Sequence, residues 1–310
     1  MNKKNIVVSV SIVLMVFATG IFITQNNLFA KTSSETKSGA SASNEEKIYS
    51  RDTIKASINV VEKQSPTGFY PMVVIEFPGI PGSRTESWCY ETAGIVFVGY
   101  EKTFGGKLVL KHEYDGGTVV TDVIPYPDKV EFIAHVENQT KEPPFLNMCW
   151  QLREAENFKA VDEDHYYDLV DREFIFMKDS GRVFLNHTER RPKVGTEMSE
   201  WFNTPYPWTQ IYKPDWKDLP EEGSPSYTQC DGWSNCSPDR YSKTIIGAIS
   251  KDGDWLVAIA GDPTAHDLSN AWHDCMHIWI PWKDGIWRNV IYGLENDPDL
   301  LLKKYEADFK

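Results

Sequence analysis

The chain has 310 residues, with 32 Lys and Arg against 45 Asp and Glu, which gives a formal net charge of −13. This acidity argues against a general nucleic-acid binder, because phosphate binding needs a basic surface. With 41% hydrophobic residues, the chain has enough apolar content for a folded core. The unusual feature is 11 Trp, nine of which lie between Trp201 and Trp287. Such a surplus is typical of an all-β core, and also of a sugar-binding cleft in which flat rings stack on pyranose faces.

The N-terminal segment is typical of an export signal. Two lysines at positions 3 and 4 precede an uncharged apolar run at residues 6–23, and a polar stretch then leads to Ala30. We therefore expect residues 1–30 to be a signal peptide or, since the apolar run is just long enough to span a bilayer, an uncleaved membrane tether. Residues 31–50, rich in Ser, Ala, Lys and Glu, are expected to be a disordered tether. The sequence thus predicts a secreted, periplasmic or extracellular protein with a single domain at residues 51–310.

The body of the chain shows mainly the period of two that is typical of β-strands. Residues 94–100 form an apolar run that predicts a buried strand. Residues 107–114 and 118–124 flank an Asp-Gly-Gly turn at 115–117, and this arrangement predicts a hairpin.

Further along the chain, residues 129–138 predict a strand, and residues 243–260 predict a second hairpin. In the first of these, four apolar side chains share one face: Val130, Phe132, Ala134 and Val136. Near the C-terminus, Asp297 as a cap and Pro298 at the first helical position predict a short closing helix. Long helical patterns are otherwise missing from the sequence. It therefore predicts an all-β fold, a large antiparallel β-sandwich with a short C-terminal helix.

Three stretches carry a resemblance to a known family. They are residues 129–140, residues 146–152, and residues 270–281 together with 290–294 and the final helix. They resemble secreted bacterial proteins with a galactose-mutarotase-like β-supersandwich. The resemblance implies a large antiparallel sandwich with a concave sheet that faces a sugar. Mutarotases use a His and a carboxylate for acid–base chemistry, and no residue of this chain is matched to those roles.

The sequence His-Asp-Cys-Met-His at residues 273–277 is the sharpest local motif. On a strand, His273, Cys275 and His277 would point to one face and form a candidate zinc or copper site. On a helix, the two His would lie one turn apart, but the glutamate base of the corresponding metalloprotease motif is missing. Two alternatives need no cofactor. One is an acid–base or sugar-contacting role for His273 or His277, and the other is ordinary packing of a buried Cys beside hydrogen-bonded His.

A second cluster of candidate catalytic residues lies at residues 186–191. His187 and Arg190 could neutralise and deprotonate a uronic acid, because Arg stabilises the developing negative charge while His moves a proton. The alternative is a solvated turn with ordinary ion pairs. Candidate sugar contacts in the Trp-rich third of the chain are Trp208, Tyr212, Trp233, Trp272 and Asn270. A long loop that packs its own small core would use the same rings.

The five Cys of an exported chain allow at most two disulfides and one free thiol. Cys230 and Cys236 are the most plausible local pair, because their spacing can close a loop. Cys89 and Cys149 could pair by elimination, which leaves Cys275 as a buried free thiol or as a metal thiolate.

Together these patterns predict an exported protein that binds or acts on a polysaccharide or oligosaccharide through a concave, aromatic-lined face. If the protein is an enzyme, it is expected to be a lyase, a hydrolase or an epimerase. The acidic surface argues mildly against polyanionic substrates, since it repels them unless the cleft is locally basic. The alternatives are a non-catalytic glycan- or cell-surface-binding module and a metal-binding protein that uses the 273–277 motif.

Overall fold

The protein is described from a computed structural model. The described residues are 54–65, 68–89, 94–160, 169–189, 210–217, 235–271 and 274–310. The expected signal and tether therefore lie outside the described residues. Within the described ranges, no helix combines the length and the apolar character that a membrane crossing requires. The chain from Ile48 to Lys310 forms one compact unit.

Sixteen strands and one α-helix make up the regular structure of the described residues. The first eight strands are β1 (Ser57–Ser65), β2 (Gly68–Glu76), β3 (Thr85–Cys89), β4 (Val96–Lys102), β5 (Leu108–Tyr114), β6 (Gly117–Pro125), β7 (Lys129–Glu137) and β8 (Leu146–Gln151). The other eight are β9 (Glu173–Met177), β10 (Gly181–Phe184), β11 (Gln210–Pro214), β12 (Asn235–Ile249), β13 (Trp255–Gly261), β14 (Asp267–Ala271), β15 (Cys275–Ile280) and β16 (Ile286–Glu295). A 3-10 helix spans Leu185–His187, and the α-helix, α1, spans Pro298–Asp308.

All sixteen strands belong to one sheet. Its order is β1-β2-β3-β8-β15-β14-β11-β12-β13-β16-β7-β6-β5-β4, and β9 pairs with β12 and carries β10 at its side. Among the described strands, all pairings are antiparallel except that of β11 with β12. The predicted all-β fold with a short C-terminal helix is confirmed. The parallel pairing of β11 with β12 makes the sheet mixed, which the expected antiparallel sandwich did not include.

The sheet brings its N-terminal strands onto strands near the C-terminus. Phe77, directly after β2, lies so close to Gly293 of β16 that a Cβ there would be 2.3 Å from the Phe77 ring. Glycine at 293 is therefore needed for the close approach. The same apolar core contains Val73 of β2, Phe132 of β7 and Ile291 of β16. Residues far apart in the chain thus share one core, although the predicted sandwich architecture stays a prediction.

Two strands show where the apolar pattern was informative and where it was not. On β7, Val130, Phe132 and Ala134 are fully buried, which confirms the predicted inner face. The prediction that residues 94–100 form a buried strand is wrong, because Val96 is 62% exposed and Val98 is 48% exposed. The cause is topological: among the described strands, β4 stands at the edge of the sheet and pairs with β5 alone.

The C-terminal helix begins as the sequence predicts. The Asp297 side chain accepts hydrogen bonds from the backbone N–H groups of Asp299 and Leu300 at 2.9 and 3.0 Å. This satisfies donors that have no partner inside a helix. Leu301 and Tyr305 then bury one face of α1 against the sheet.

An ion network, here called the anchor network, fixes the end of α1 to the sheet; it consists of Lys129, Glu131, Arg288, Tyr292 and Asp308. Lys129 Nζ donates to Glu131 at 2.6 Å and to Asp308 at 2.5 Å. Arg288 pairs with Glu131 at 2.9 Å, and the Tyr292 hydroxyl donates to Asp308 at 2.8 Å. Burial alone would lower the pKa of Lys129, but the hydrogen bonds and charges of Asp308 and Glu131 raise it.

Candidate metal centre

Strand β15 lies between β8 and β14, and its two faces differ in chemistry. Residues paired directly across antiparallel strands share a face, and alternate residues point to opposite faces. Met276 and Ile278 therefore point into the apolar core, where Met148 of β8 also lies. Cys275 and His277 point to the other face, and so does Cys149 of β8, which is paired directly with His277.

Cys149, Cys275 and His277, here called the Cys–His cluster, bring their side-chain ends together. The two Sγ atoms and one imidazole nitrogen all lie within 4.8 Å of one another. The Cys275 Sγ and the His277 Nε2 are 2.9 Å apart, which is hydrogen-bond distance. All three side chains are buried, with 1%, 0% and 6% of their surface exposed. Thiolates and imidazole are ligands of zinc and of copper, so this cluster is a candidate metal centre.

The strand register explains why these three residues meet. His277 is directly opposite Cys149, whereas Cys275 is opposite Gln151. Cys149 and Cys275 are therefore diagonal neighbours on one face, with the imidazole beside both. Cys275 and His277 are two residues apart on β15, whereas Cys149 on β8 lies about 126 positions before Cys275 in the chain.

Polar and aromatic side chains surround the Cys–His cluster. The Asn147 Nδ2 lies 3.3 Å from the His277 Nδ1. The Gln151 Nε2 donates weakly to the Cys149 Sγ at 3.8 Å. The Trp279 ring stacks on the His277 ring, with centroids 5.5 Å apart and an interplanar angle of 17°. These contacts restrict the imidazole orientation and give the Cys149 sulfur an amide donor.

Two buried polar atoms beside His277 have no hydrogen-bond partner within the described part of the chain. They are the Asn147 Oδ1 and the Ser269 Oγ. Ser269 is fully buried on β14 and is paired directly with His277 on the side away from Cys149. Leaving a buried polar atom without a hydrogen-bond partner costs free energy. The Asn147 Oδ1 and the Ser269 Oγ therefore give this face hydrogen-bonding capacity that the surrounding side chains do not use.

Two members of the predicted ligand set, Cys275 and His277, lie together, and Cys149 is the third candidate ligand beside them. His273 lies outside the described residues, and its predicted role as a ligand stays a prediction. The expected continuous strand over residues 273–277 is not found, because β15 begins at Cys275 and Asp274 has a left-handed backbone with a φ of 59°.

Two other predicted site residues lie on the core side of the sheet, away from the Cys–His cluster. Tyr212 is fully buried in the core, and its hydroxyl is 2.9 Å from that of Thr188, so its ring offers no face to a sugar. Asn270 is 2% exposed and is paired with Met276, which places it on the core side of the sheet. His187 is exposed at the end of the 3-10 helix, and its expected convergence with His277 on one face stays a prediction.

The remaining predicted site residues lie outside the described residues: Arg190, Trp208, Trp233, Trp272 and Cys230. Their predicted roles as catalytic, sugar-binding and disulfide-forming residues stay predictions.

The cysteine pairing can be followed in part. Neither Cys89 nor Cys149 forms a disulfide, so their possible pairing by elimination is not found. Cys89 is paired with Met148 and shares its face, whereas Cys149 points to the opposite face. Burial raises the pKa of the Cys89 thiol, which keeps it protonated. Cys236 is disulfide-bonded, and its pairing with Cys230 stays a prediction.

Sequence reasoning did not place Cys149 in the site. The only available signal was the period of two in residues 146–152, which puts Cys149 opposite its apolar neighbours Met148 and Trp150. That signal gives a face within the strand, but it does not say which strand lies beside it.

Comparisons of this chain with protein-family models, with curated proteins and with solved structures found no match.

Proposed function

We propose that this protein binds a zinc ion through Cys149, Cys275 and His277. The observation that carries the proposal is the meeting of two sulfur atoms and one imidazole nitrogen within 4.8 Å on one face of the sheet. Ligand atoms around a tetrahedral zinc ion are about 3.4–3.8 Å apart, given metal–ligand distances of about 2.0–2.3 Å. Small side-chain rotations would bring the three atoms to that spacing and open the 2.9 Å contact between Cys275 and His277.

Charge favours zinc over copper in this buried position. Two thiolates carry two negative charges, which Zn²⁺ balances and Cu⁺ leaves half compensated. Burying a net charge is costly, and the three ligands are each at least nine-tenths buried. The soft donor set disfavours magnesium and calcium, which prefer oxygen ligands.

Asn147 can fix the tautomer and orientation of the His277 imidazole, as a metal-binding histidine requires. A ligating His usually donates its second ring N–H to an oxygen, which fixes the tautomer. Asn147 lies 3.3 Å from the His277 Nδ1, and its Oδ1 has no partner among the described residues. Since amide nitrogen and oxygen are interchangeable by a 180° rotation, the Oδ1 can accept from the Nδ1–H and leave the Nε2 for the metal.

The test is metal binding by the full chain purified under reducing conditions. We expect about one zinc ion per chain, and Co²⁺ substitution should give thiolate charge-transfer absorption with the intense d–d bands of tetrahedral cobalt. Cys149→Ala should lower zinc affinity by more than about a hundredfold, because even the loss of a residue that only supports a ligand costs about 10- to 100-fold.

The matched control is Cys89→Ala. Cys89 is likewise a buried cysteine outside any disulfide, but it lies on the opposite face of the sheet. The Cys89→Ala variant should leave zinc affinity and the cobalt spectrum unchanged. Wild-type protein that binds no metal, or a Cys149→Ala variant that binds as tightly as wild type, would overturn the proposal.

Carbohydrate binding by an exported chain remains a second proposal. In the described part of the chain it is supported by Trp216, which follows β11 and is 58% exposed, so that its ring is available for stacking. A glycan array with wild type and Trp216→Ala tests it. Binding that is lost in the variant supports a sugar site, and no binding by wild type contradicts it.

A further inference from the structure

We infer that the metal centre is completed by a small exogenous anion at a fourth coordination position, with Ser269 as its hydrogen-bond donor. This inference rests on the proposed zinc site. The described residues supply three ligands, whereas zinc in proteins takes four. Sites with three protein ligands leave the fourth position to water or to another small molecule.

Ser269 provides the second, independent observation. Its side chain is fully buried, and its Oγ has no hydrogen-bond partner in the described ranges. It is paired directly with His277, so the two Cβ atoms are about 4.5–5.5 Å apart and point to the same face. A buried hydroxyl in this position is expected to have a partner, because leaving it unpaired costs more free energy than forming its hydrogen bond gains.

The chemistry of the surrounding side chains defines the class of ligand. A hydroxyl can donate to an anion, and a bound metal ion attracts one. Since the two thiolates already balance the charge of Zn²⁺, the anion adds one negative charge to the site, and the hydrogen bond from Ser269 offsets part of that cost. The neighbouring strand residues are Ile211 on one side of Ser269 and His277 on the other, so no carboxylate is paired directly with it. The site is buried, which restricts the ligand to a few atoms.

The probe is azide, titrated into the Co²⁺-substituted full chain and followed by the cobalt d–d bands. We expect a saturable spectral change in wild type. Ser269→Ala should bind Co²⁺ with an affinity within about threefold of wild type and bind azide about 10- to 100-fold more weakly, since a hydrogen bond to a charged group is lost.

The control variant is Ser87→Ala. Ser87 is also fully buried with a hydroxyl that has no partner among the described residues, but it is paired with Trp150 on the core face. It should leave azide binding unchanged.

Three results separate the possible failures. A chain that gives no cobalt spectrum defeats the proposed zinc site itself. A cobalt spectrum that azide does not change shows that the protein fills the fourth position, and overturns this inference alone. Equal azide affinity in Ser269→Ala and wild type overturns the role of Ser269.

Discussion

Two clusters of polar side chains on the sheet, the anchor network and the Cys–His cluster, differ in how their atoms are paired. In the anchor network, the Glu131 carboxylate contacts Lys129 and Arg288, and the Asp308 carboxylate contacts Lys129 and Tyr292. The Cys–His cluster consists of two cysteines outside any disulfide and one imidazole, and two adjacent polar atoms lack partners among the described residues. The charges of the anchor network balance one another and hold α1 in place, although the Arg288 Nε has no hydrogen-bond partner among the described residues. The two adjacent polar atoms leave hydrogen-bonding capacity beside the Cys–His cluster that a ligand could use.

The largest effect that separates the two groups should come from metal addition. Zinc at about a thousand times its dissociation constant should raise the free energy of unfolding by about 4 kcal/mol, because it binds the folded chain preferentially. Cys275→Ser should abolish this gain, whereas Asp308→Asn should retain it. Urea unfolding with zinc and with a chelator measures both. An equal gain in wild type and Cys275→Ser would place the metal elsewhere.

Acid should give the next largest effect, through a histidine outside both groups. Burial lowers the pKa of His112 on β5 from 6.5 to about 4. Stability from the neutral ring is therefore complete above pH 6.5 and is lost as pH falls toward 4, since the unfolded chain takes up the proton first. Between pH 7 and pH 4 the loss should be about 3 kcal/mol.

The measurement for His112 is urea unfolding of metal-free protein at both pH values. His112→Gln should lose about 3 kcal/mol less than wild type over this range, because glutamine does not titrate. If both proteins lose the same amount, acid acts through other groups and His112 is not the cause.

The smallest effect should come from the anchor network. Asp308→Asn keeps the shape of the side chain but removes its charge, and should lower the free energy of unfolding by about 2 kcal/mol. Glu306→Gln on the same helix breaks an exposed pair with Lys243 and should cost less than about 0.5 kcal/mol. Urea unfolding compares the two. A reversed order would mean that the network contributes little.

Local patterns in the sequence predicted the local structure. The cap at Asp297 and the inner face of β7 were correct, because each depends on residues that are neighbours in the chain. The exposure of β4 was missed, since an apolar run does not reveal whether a strand has one neighbour or two. Cys149 was missed for the same reason: its approach to His277 depends on the pairing of β8 with β15.

One residue interrupts the strand that was expected over residues 273–277. The predicted alternation assumed extended backbone throughout, but Asp274 has a φ of 59°. Its buried side chain accepts a hydrogen bond from the Ala160 N–H at 3.4 Å, and its carbonyl accepts one from Leu152 at 2.8 Å. These partners lie more than 100 positions away, so the turn is fixed by tertiary contacts that the motif does not contain.

The diagonal placement of Cys149 and Cys275 also bears on their resistance to oxidation. Diagonal neighbours in an antiparallel pair have α-carbons about 7–8 Å apart. A disulfide needs a separation below about 7 Å, so these thiols cannot be joined without moving the backbone of β8 or β15. The sulfur atoms are thus close enough to share a metal ion, yet the strand register keeps them from closing on each other. In an oxidising environment, this register would preserve the two cysteines in the reduced form that the proposed zinc site requires.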